Sequence, residues 1–200
     1  LMGLNNFISD GMTMEDFAFV VDGMKTSAER LDTVIKDLNE ILSLRRELTE
    51  AKETVDLPLL VAEVWRSIAQ MVTESGATVH TRFSAAQSVV TVKSYMRHIL
   101  FQLFSNSIRF RKPGTSPEIT VSTETTEGKV IICVTDNGLG IDLPRFGNKL
   151  FQLYQRFHLQ VPGKGLGLYL TKTMVETLHG AIEVESTSGS GTTFRISLPL

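Results

Sequence analysis

The sequence predicts an α/β sandwich of the α+β type, in which helices cover one face of a mixed β-sheet and a helical hairpin precedes the sandwich. From residue 53 onward, strand patterns and helix patterns alternate. Two glycine-containing turns in the same region indicate β-hairpins. Before residue 53, apolar side chains instead recur with a heptad period. We therefore predict two domains, over residues 1–52 and 53–200.

The heptad pattern of the first domain predicts half of a four-helix bundle. Phe17, Met24, Leu31 and Leu38 recur every seven residues, and further apolar residues fill the alternate spacing. This apolar stripe is wider than the seam of a two-stranded coiled coil, which favours a bundle. We expect a homodimer formed through the N-terminal helices to bury the stripe. The alternative is that the C-terminal domain covers it within one chain.

Each element of the second domain has a local sequence pattern. Pro58 occupies a favoured first-turn position of a helix, and Gly76 and Gly180 are placed to end helices. The turn at Glu127-Gly128 and the Gly-Ser-Gly turn at residues 189–191 predict hairpins. The predicted elements are strands at 54–57, 78–83, 118–125, 129–135, 181–187 and 192–198, and helices at 58–76, 93–110 and 166–178.

Composition limits the function classes. The 200 residues are 42% hydrophobic and 21% charged, which fits soluble globular structure. The formal net charge of −2 supplies no basic field, so we predict no nucleic-acid partner. The single cysteine, Cys133, lies in an apolar run, which predicts a buried, inert thiol in a reducing compartment and favours the cytoplasm.

Membrane segments are not evident in the sequence. No apolar stretch approaches the roughly 18 residues that a membrane-spanning helix needs, and no signal peptide opens the chain. Because the chain begins at Leu1 rather than Met, we expect an excised fragment of a longer parent protein. Any membrane anchor would belong to upstream segments of that parent.

A first cluster of candidate functional residues lies on the helix that ends at Phe110. Gln102, Asn106 and Arg109 are spaced i, i+4 and i+7, so they project from one helix face. The functional interpretation is that Asn106 binds Mg²⁺ through its carbonyl oxygen, with Gln102 beside it and Arg109 directed at phosphate. Taken alone, such a pattern is more often an ordinary polar helix face.

A second cluster, Asp-Asn-Gly-Leu-Gly, follows a strand of almost unbroken apolar character. Asp136 at the end of that strand can accept a hydrogen bond from the exocyclic amine of adenine. Gly138 and Gly140 permit positive φ and a close approach to the base. The alternative is a plain turn, because Asp-Asn-Gly is among the commonest turn sequences.

A third cluster, Gly-Lys-Gly-Leu-Gly-Leu from Gly163, stands immediately before a predicted helix. Backbone amides at a helix N-terminus bind anions, and glycines leave room for a triphosphate. Gly165 occupies the position at which a Walker loop has Ser or Thr after Lys164, and Leu168 does not complete a dinucleotide fingerprint. A flexible lid hinge would have the same composition. The three clusters in this order predict one ATP pocket.

These motifs resemble those of a known family. QLFSNSIRF, DNGLGI, KLFQLYQRF and GKGLGLYLTKTMVETLHG resemble the N, first glycine, F and second glycine boxes of sensor histidine kinases. The resemblance covers roughly residues 53–200, and SAERLDTVIKDLNEIL resembles the second helix of the family's dimerisation and histidine-phosphotransfer hairpin. The form LFQLYQRFH looks most like the phytochrome-related branch. The resemblance implies the histidine-kinase, gyrase and chaperone type of ATPase fold, ATP and Mg²⁺ as cofactors, and a response-regulator receiver domain as partner.

The resemblance also implies roles for matched positions. Asn106 and Gln102 would hold the metal, Asp136 would recognise adenine, and Asn106, Arg109 and Arg156 would be catalytic. The residues that it places around the nucleotide are Gln102, Asn106, Arg109, Phe110, Asp136, Gly138, Gly140, Phe151, Tyr154, Arg156, Gly163, Lys164, Gly165, Leu166 and Gly167. The chain departs from the family's pattern in three places: Gln102 stands where Asn is usual, Arg109 replaces the more usual Lys, and the lid at 157–162 is short.

In this family the phosphoacceptor histidine lies upstream of the position that matches Leu1. None of the four histidines present replaces it convincingly: His80, His98, His158 and His179. We expect the parent protein to phosphorylate an upstream histidine and to pass the phosphoryl group to a response-regulator aspartate. One alternative is a related conformational ATPase, which would need a transducer domain after the sheet. The other is a noncatalytic dimerisation module with a degenerate nucleotide pocket.

Overall fold

The computed structural model describes residues 16–28, 51–157, 161 and 164–200. The chain divides into two compact units, Leu1–Thr49 and Glu50–Leu200. The predictions for Leu31, Leu38, His158 and Gly163 lie outside the described residues, as do most of the predicted short lid and the proposed helical hairpin as a whole. The domain boundary at residue 52 stays a prediction.

In the first unit, residues 16–28 are helical and are called α1. This segment exposes four large apolar side chains, those of Phe17, Phe19, Val21 and Met24. Among the described residues, no helix combines the length and apolar character needed to cross a membrane.

The second unit is built on a mixed five-stranded sheet with the order β2-β4-β5-β7-β6. Strand β2 pairs with β4 in parallel, and the other neighbours are antiparallel. A separate two-stranded sheet pairs β1 with β3. The strands are β1 (Glu53–Asp56), β2 (Thr78–Arg82), β3 (Ser88–Thr91), β4 (Glu118–Thr126), β5 (Lys129–Asp136), β6 (Ala181–Thr187) and β7 (Gly191–Pro199).

The helices of this unit share the apolar core with the strands. They are α2 (Leu57–Ser67), α3 (Ala69–Ser75), α4 (Lys93–Arg109), α5 (Leu143–Phe146) and α6 (Gly167–Thr177). Helix α4 packs against both α2 and α6. Its residues Ile99 and Leu103 are buried, as are Ile132 of β5 and Ile196 of β7. Burial alternates along β4 and β7, as expected for a sheet with one covered face.

The predicted helix from Pro58 to Gly76 is two helices. Asp56 caps α2, since its carboxylate accepts the Leu59 N–H at 2.8 Å. Ile68 interrupts the helix with φ −109° and ψ 21°, and its side chain is buried. Gly76 ends α3 with φ 65°, as predicted. A propensity pattern does not reveal such a break, because helix-forming residues flank it on both sides.

Two further local predictions differ from the structure. Strand β3 was not predicted, because its sequence, Ser-Val-Val-Thr, has no alternation of apolar and polar residues; its pairing with β1 defines it. After α6 the left-handed residue is His179, with φ 61°, rather than Gly180. Gly180 is instead required for close packing, because a Cβ on it would overlap the Ser197 carbonyl oxygen.

Candidate functional site

The end of α4 and the end of β5 meet through Ser107 and Asp136. The Ser107 hydroxyl donates to Asp136 Oδ2 at 3.1 Å. The other carboxylate oxygen, Oδ1, accepts from the backbone N–H of Gly138 at 2.8 Å and of Thr192 at 3.3 Å. Helix α4, the turn after β5 and strand β7 therefore all hold this one carboxylate.

The environment of Asp136 opposes its charged form. Burial raises the pKa of its carboxyl group above the usual value. The Gly138 N–H, the Ser107 hydroxyl, the Thr192 N–H and the positive charge of Lys112 lower the pKa in that order, but they do not offset burial. A half-buried carboxylate of this kind gains from a further donor, such as an amine on a bound ligand.

The turn after β5 is fixed to α4. Leu139 N–H donates to the Phe110 carbonyl oxygen at 2.9 Å. A Cβ on Gly138 would lie 2.7 Å from that same oxygen and 2.9 Å from Asp136 Oδ1. Gly138 therefore has to be glycine for the turn to approach the end of α4 this closely.

The same turn is also fixed to the β6–β7 hairpin. The Gly189 N–H donates to the Leu139 carbonyl oxygen at 2.7 Å, and the Ile141 N–H donates to Ser186 Oγ at 2.8 Å. Gly140 has φ 65°, and a Cβ on it would overlap the Thr187 carbonyl oxygen. The structure thus holds the Asp-Asn-Gly-Leu-Gly segment between α4 and the final hairpin.

The N-terminus of α6 lies against the polar face of α4. A Cβ on Gly167 would lie 2.5 Å from Gln102 Oε1 and 4.0 Å from Asn106 Nδ2. The Gln102 amide nitrogen in turn lies 3.4 Å from His98 Nε2, one helical turn earlier. The third cluster therefore meets the first one directly, although 65 residues separate Gln102 from Gly167 in the chain.

The segment that resembles the F box packs beside the same helix. Gly165 has φ 74°, and a Cβ on it would lie 2.6 Å from the Gln155 carbonyl oxygen. Tyr154 also has positive φ, 61°, and its side chain is 52% exposed. The Phe151 ring lies 5.6 Å from Lys172 Nζ of α6.

The remaining predicted site residues have varied surroundings. Arg109 is exposed in the last turn of α4, and Lys164 is exposed ahead of α6. Arg156 donates to the Val161 carbonyl oxygen at 2.9 Å. Leu166 is buried, so its backbone and not its side chain is available to a ligand. Phe110, at the end of α4, is half-buried.

Sequence reasoning missed Ser107, Thr192 and Lys112, which all act on Asp136. Ser107 directly follows Asn106, but one residue along a helix turns a side chain by about 100°, away from the polar face that the spacing identified. Thr192 acts through its backbone N–H, which no residue type signals. Only the position of Thr192 opposite Asp136 in the β5–β7 register could have indicated its role.

The amide oxygens of Asn106 and Gln102 fit a hard cation such as Mg²⁺, which takes oxygen ligands. The described ranges contain no group of three or more His, Cys, Asp or Glu side chains that could hold a metal ion. A Mg²⁺ ion here would therefore depend on amide oxygens, ligand phosphates and water, because Mg²⁺ usually keeps several waters and binds together with substrate phosphates.

A family model described as "Histidine kinase-, DNA gyrase B-, and HSP90-like ATPase" matches residues 91–200, more than half of the chain. The chain belongs to this family, and within it to the ATPase domains of sensor histidine kinases. This result confirms the family and fold class that the four sequence boxes predicted.

The chain resembles several curated proteins. It is 28% identical over 194 residues to cyanobacterial phytochrome A of Nostoc sp., covering 96% of this chain and 24% of that protein. It is 24% identical over 198 residues to the histidine protein kinase SaeS of Staphylococcus aureus, covering 96% of this chain and 56% of that protein. The chain thus spans about a quarter of the phytochrome and about half of SaeS.

Solved structures show the same fold. Histidine kinase AdeS of Acinetobacter baumannii aligns with a TM-score of 0.66 at 19% identity, covering 99% of this chain and 92% of that one. The catalytic domain of histidine kinase ThkA aligns with a TM-score of 0.63 at 20% identity, covering 75% and 96%. Full-length ShkA in complex with AMPPNP aligns with a TM-score of 0.69 at 21% identity, covering 99% and 43%.

Proposed function

We propose that this chain is the ATP-binding kinase core of a two-component sensor histidine kinase. In this proposal the parent protein transfers the γ-phosphoryl group of ATP to one of its own histidines, upstream of Leu1, and then to an aspartate of a response-regulator receiver domain. One observation supports it above the others. Helix α4 meets both of the other clusters: Gln102 lies against Gly167, and Ser107 bonds to Asp136.

The adenine end of the proposed site is Asp136. Its carboxylate accepts the exocyclic amine of adenine, while Gly138 and Gly140 keep side chains away from the base. The fixed turn supports this role, because the backbone bonds of Leu139 to Phe110 and Gly189 hold in place the turn that follows the carboxylate before any ligand arrives.

The phosphate end is formed by α4 and the N-terminus of α6. Asn106 and Gln102 hold Mg²⁺, which would offset negative charge on the phosphates. Backbone groups of residues 163–167 approach the triphosphate at the start of α6. Phe110, Phe151, Tyr154, Lys164 and Leu166 line the nucleotide, and Arg109 and Arg156 approach its phosphates.

We further propose that the chain forms a homodimer through its N-terminal helices. The exposed apolar side chains of α1, including Phe17 and Met24, support a partner surface of this kind. The kinase core acts in the cytoplasm, and any membrane attachment belongs to other parts of the parent protein.

Nucleotide titration in the presence and absence of Mg²⁺ tests the proposed site. Isothermal titration calorimetry of the wild type should show ATP binding that tightens on adding Mg²⁺. Asn106→Ala should remove this tightening while retaining the metal-free affinity. Absence of ATP binding by the wild type would instead support a noncatalytic module with a degenerate pocket.

Labelling with [γ-³²P]ATP tests the phosphoryl transfer. The parent protein should acquire an acid-labile phosphohistidine, whereas residues 1–200 alone should bind ATP and stay unlabelled. A phosphohistidine within residues 1–200 would contradict an upstream acceptor. ATP hydrolysis by the parent protein with no phosphoprotein at all would favour a conformational ATPase.

A further inference from the structure

We propose that Ser107 is a positioning residue for purine recognition, because its hydroxyl fixes the orientation of the Asp136 carboxylate that meets the base. This inference rests on the proposed function, in which Asp136 accepts the exocyclic amine of adenine. It adds a residue that acts through Asp136 and makes the site selective for a 6-amino purine over a 6-oxo purine.

The two carboxylate oxygens of Asp136 differ in the number and kind of their hydrogen-bond donors. Oδ1 of Asp136 accepts from two backbone donors, Gly138 at 2.8 Å and Thr192 at 3.3 Å. Oδ2 accepts from Ser107 Oγ at 3.1 Å. A carboxylate oxygen has two lone-pair directions, so Oδ2 has one direction left for a ligand donor. Ser107 and the base amine would therefore share one oxygen.

The Ser107 hydroxyl has two acceptors within reach and a single proton. Its Oγ lies 3.1 Å from Asp136 Oδ2 and 3.0 Å from the carbonyl oxygen of Leu103, one helical turn earlier. Bonding to the carbonyl four residues back is the common default for a helical serine. An ionised carboxylate is the stronger acceptor, because a charge-assisted bond is about twice as strong as a neutral one. The proton therefore goes to Asp136 when that group is charged.

Burial of Ser107 makes its hydrogen bond to Asp136 important for the orientation of the carboxylate. Ser107 is 5% exposed, so water does not replace its hydroxyl if that hydroxyl is removed. The other groups around Asp136 are backbone N–H donors from the turn and from β7, together with the charge of Lys112. The backbone donors both serve Oδ1, which leaves Ser107 as the described side chain that donates to Oδ2.

Selectivity for a 6-amino purine follows because Ser107 holds the Asp136 carboxylate as a hydrogen-bond acceptor. A 6-amino purine offers an N–H to Oδ2, whereas a 6-oxo purine such as inosine offers an oxygen that a carboxylate repels. With the Ser107 bond in place, both carboxylate oxygens are held as acceptors. Without it, Oδ2 loses its side-chain donor and takes up a proton more readily, and the preference for the amine decreases.

A double-mutant cycle on nucleotide affinity tests the proposal. The variants are Ser107→Ala, Asp136→Asn and the combination of both, titrated with ATP and with inosine triphosphate. Ser107→Ala should weaken ATP binding by about fivefold or more, as expected for loss of a hydrogen bond to a charged group, and should change inosine triphosphate binding by less than about twofold. The double variant should bind ATP no more weakly than Asp136→Asn alone.

Ser105→Ala is a matched control. Ser105 is also buried on α4, and its hydroxyl donates to the Gln102 carbonyl oxygen at 3.1 Å rather than to the site carboxylate. This variant should leave the ratio of ATP to inosine triphosphate affinity unchanged. Alanine favours a helix, so both serine variants should fold; Ser107→Cys, with a weaker donor, should also lose ATP affinity, by no more than Ser107→Ala does.

The outcomes separate this inference from the proposed function. If Asp136→Asn weakens ATP binding strongly but Ser107→Ala changes neither affinity nor selectivity, the positioning role is wrong and the proposed function stands. Equal weakening of ATP and inosine triphosphate, or an effect that adds to that of Asp136→Asn, would likewise overturn it and indicate a structural serine. If the wild type binds no ATP, the proposed function is wrong and this inference is wrong with it.

Discussion

A Cβ added to Gly167 would lie 2.5 Å from Gln102 Oε1. This separation is well inside van der Waals contact, so the N-terminus of α6 and the polar face of α4 meet with no room for a side chain at residue 167. The contact joins two sequence clusters that were identified separately. It also places the Gln102 amide, which stands where the family usually has Asn, directly against the glycine segment.

Gly167→Ala should have a larger effect on nucleotide affinity than on the free energy of unfolding. The added methyl group meets the far end of the flexible Gln102 side chain, which can move, so the free energy of unfolding should fall by about 1 kcal/mol or less. Affinity for Mg²⁺ and ATP should fall, because the amide of Gln102 is displaced from the site. Gly147→Ala is the control, since its Cβ would have only Leu143 Cβ nearby, at 4.0 Å. Unchanged affinity in Gly167→Ala would contradict the assignment of this contact to the nucleotide site.

Gly140→Ala and Gly128→Ala should differ strongly in stability. Both glycines have positive φ, 65° and 72°, so alanine is strained at either position by about 1 kcal/mol. At Gly128 nothing lies within 4 Å of the new Cβ, whereas at Gly140 it overlaps the Thr187 carbonyl oxygen. Urea unfolding should show a further loss on the order of 2 kcal/mol or more for Gly140→Ala. Equal losses would show that the final hairpin can move away from the turn.

The affinity for adenine nucleotides should depend on pH through Asp136. Burial raises the pKa of this carboxyl group, and the bond to the base amine needs the charged form. ATP affinity should therefore fall as the pH is lowered, beginning above the ordinary aspartate value of about 3.9. Calorimetric titrations across this range measure the effect. Asp136→Asn should lack this dependence. An identical pH profile of ATP affinity in the wild type and in Asp136→Asn would show that Asp136 does not cause it.

Asp136→Asn should preserve the stability of the ligand-free protein. Because the folded-state pKa is raised, the unliganded protein loses stability as the pH rises from the unfolded-state pKa through the folded-state pKa. Asparagine removes that buried charge and can still accept the Gly138 N–H, while its amide can donate to Ser107. At neutral pH the variant should be as stable as the wild type or more stable, within about 1 kcal/mol. Its advantage should shrink as the pH is lowered, and a large loss of stability at neutral pH would contradict this account.

The local features of the fold could be predicted because short-range patterns report them. The turn at Glu127-Gly128 links β4 to β5, and Gly128 has the positive φ of 72° that such a turn favours. Helix α4 lies within one residue of its predicted span, and its apolar neighbours Ile99 and Ile108 are buried as expected. Periodicity succeeds in these cases because it records which side chains face the core.

The same short-range patterns could not predict contacts between segments far apart in the chain. Strand β3 exists through its pairing with β1, and the parallel position of β2 beside β4 depends on a crossover. The break at Ile68 is set by packing rather than by residue type. Neither a helical nor an alternating period contains information about which distant segment is a neighbour.

For the candidate site, the sequence by itself determined the chemical groups: the amides of Gln102 and Asn106, the carboxylate of Asp136, and the glycines ahead of α6. Only the tertiary structure decided how they meet, with Gly167 against Gln102 and Ser107 bonded to Asp136. The reason is physical. Residue type sets what a group can bind, but packing between segments far apart in the chain sets the distances and hydrogen-bond partners that decide what it does bind.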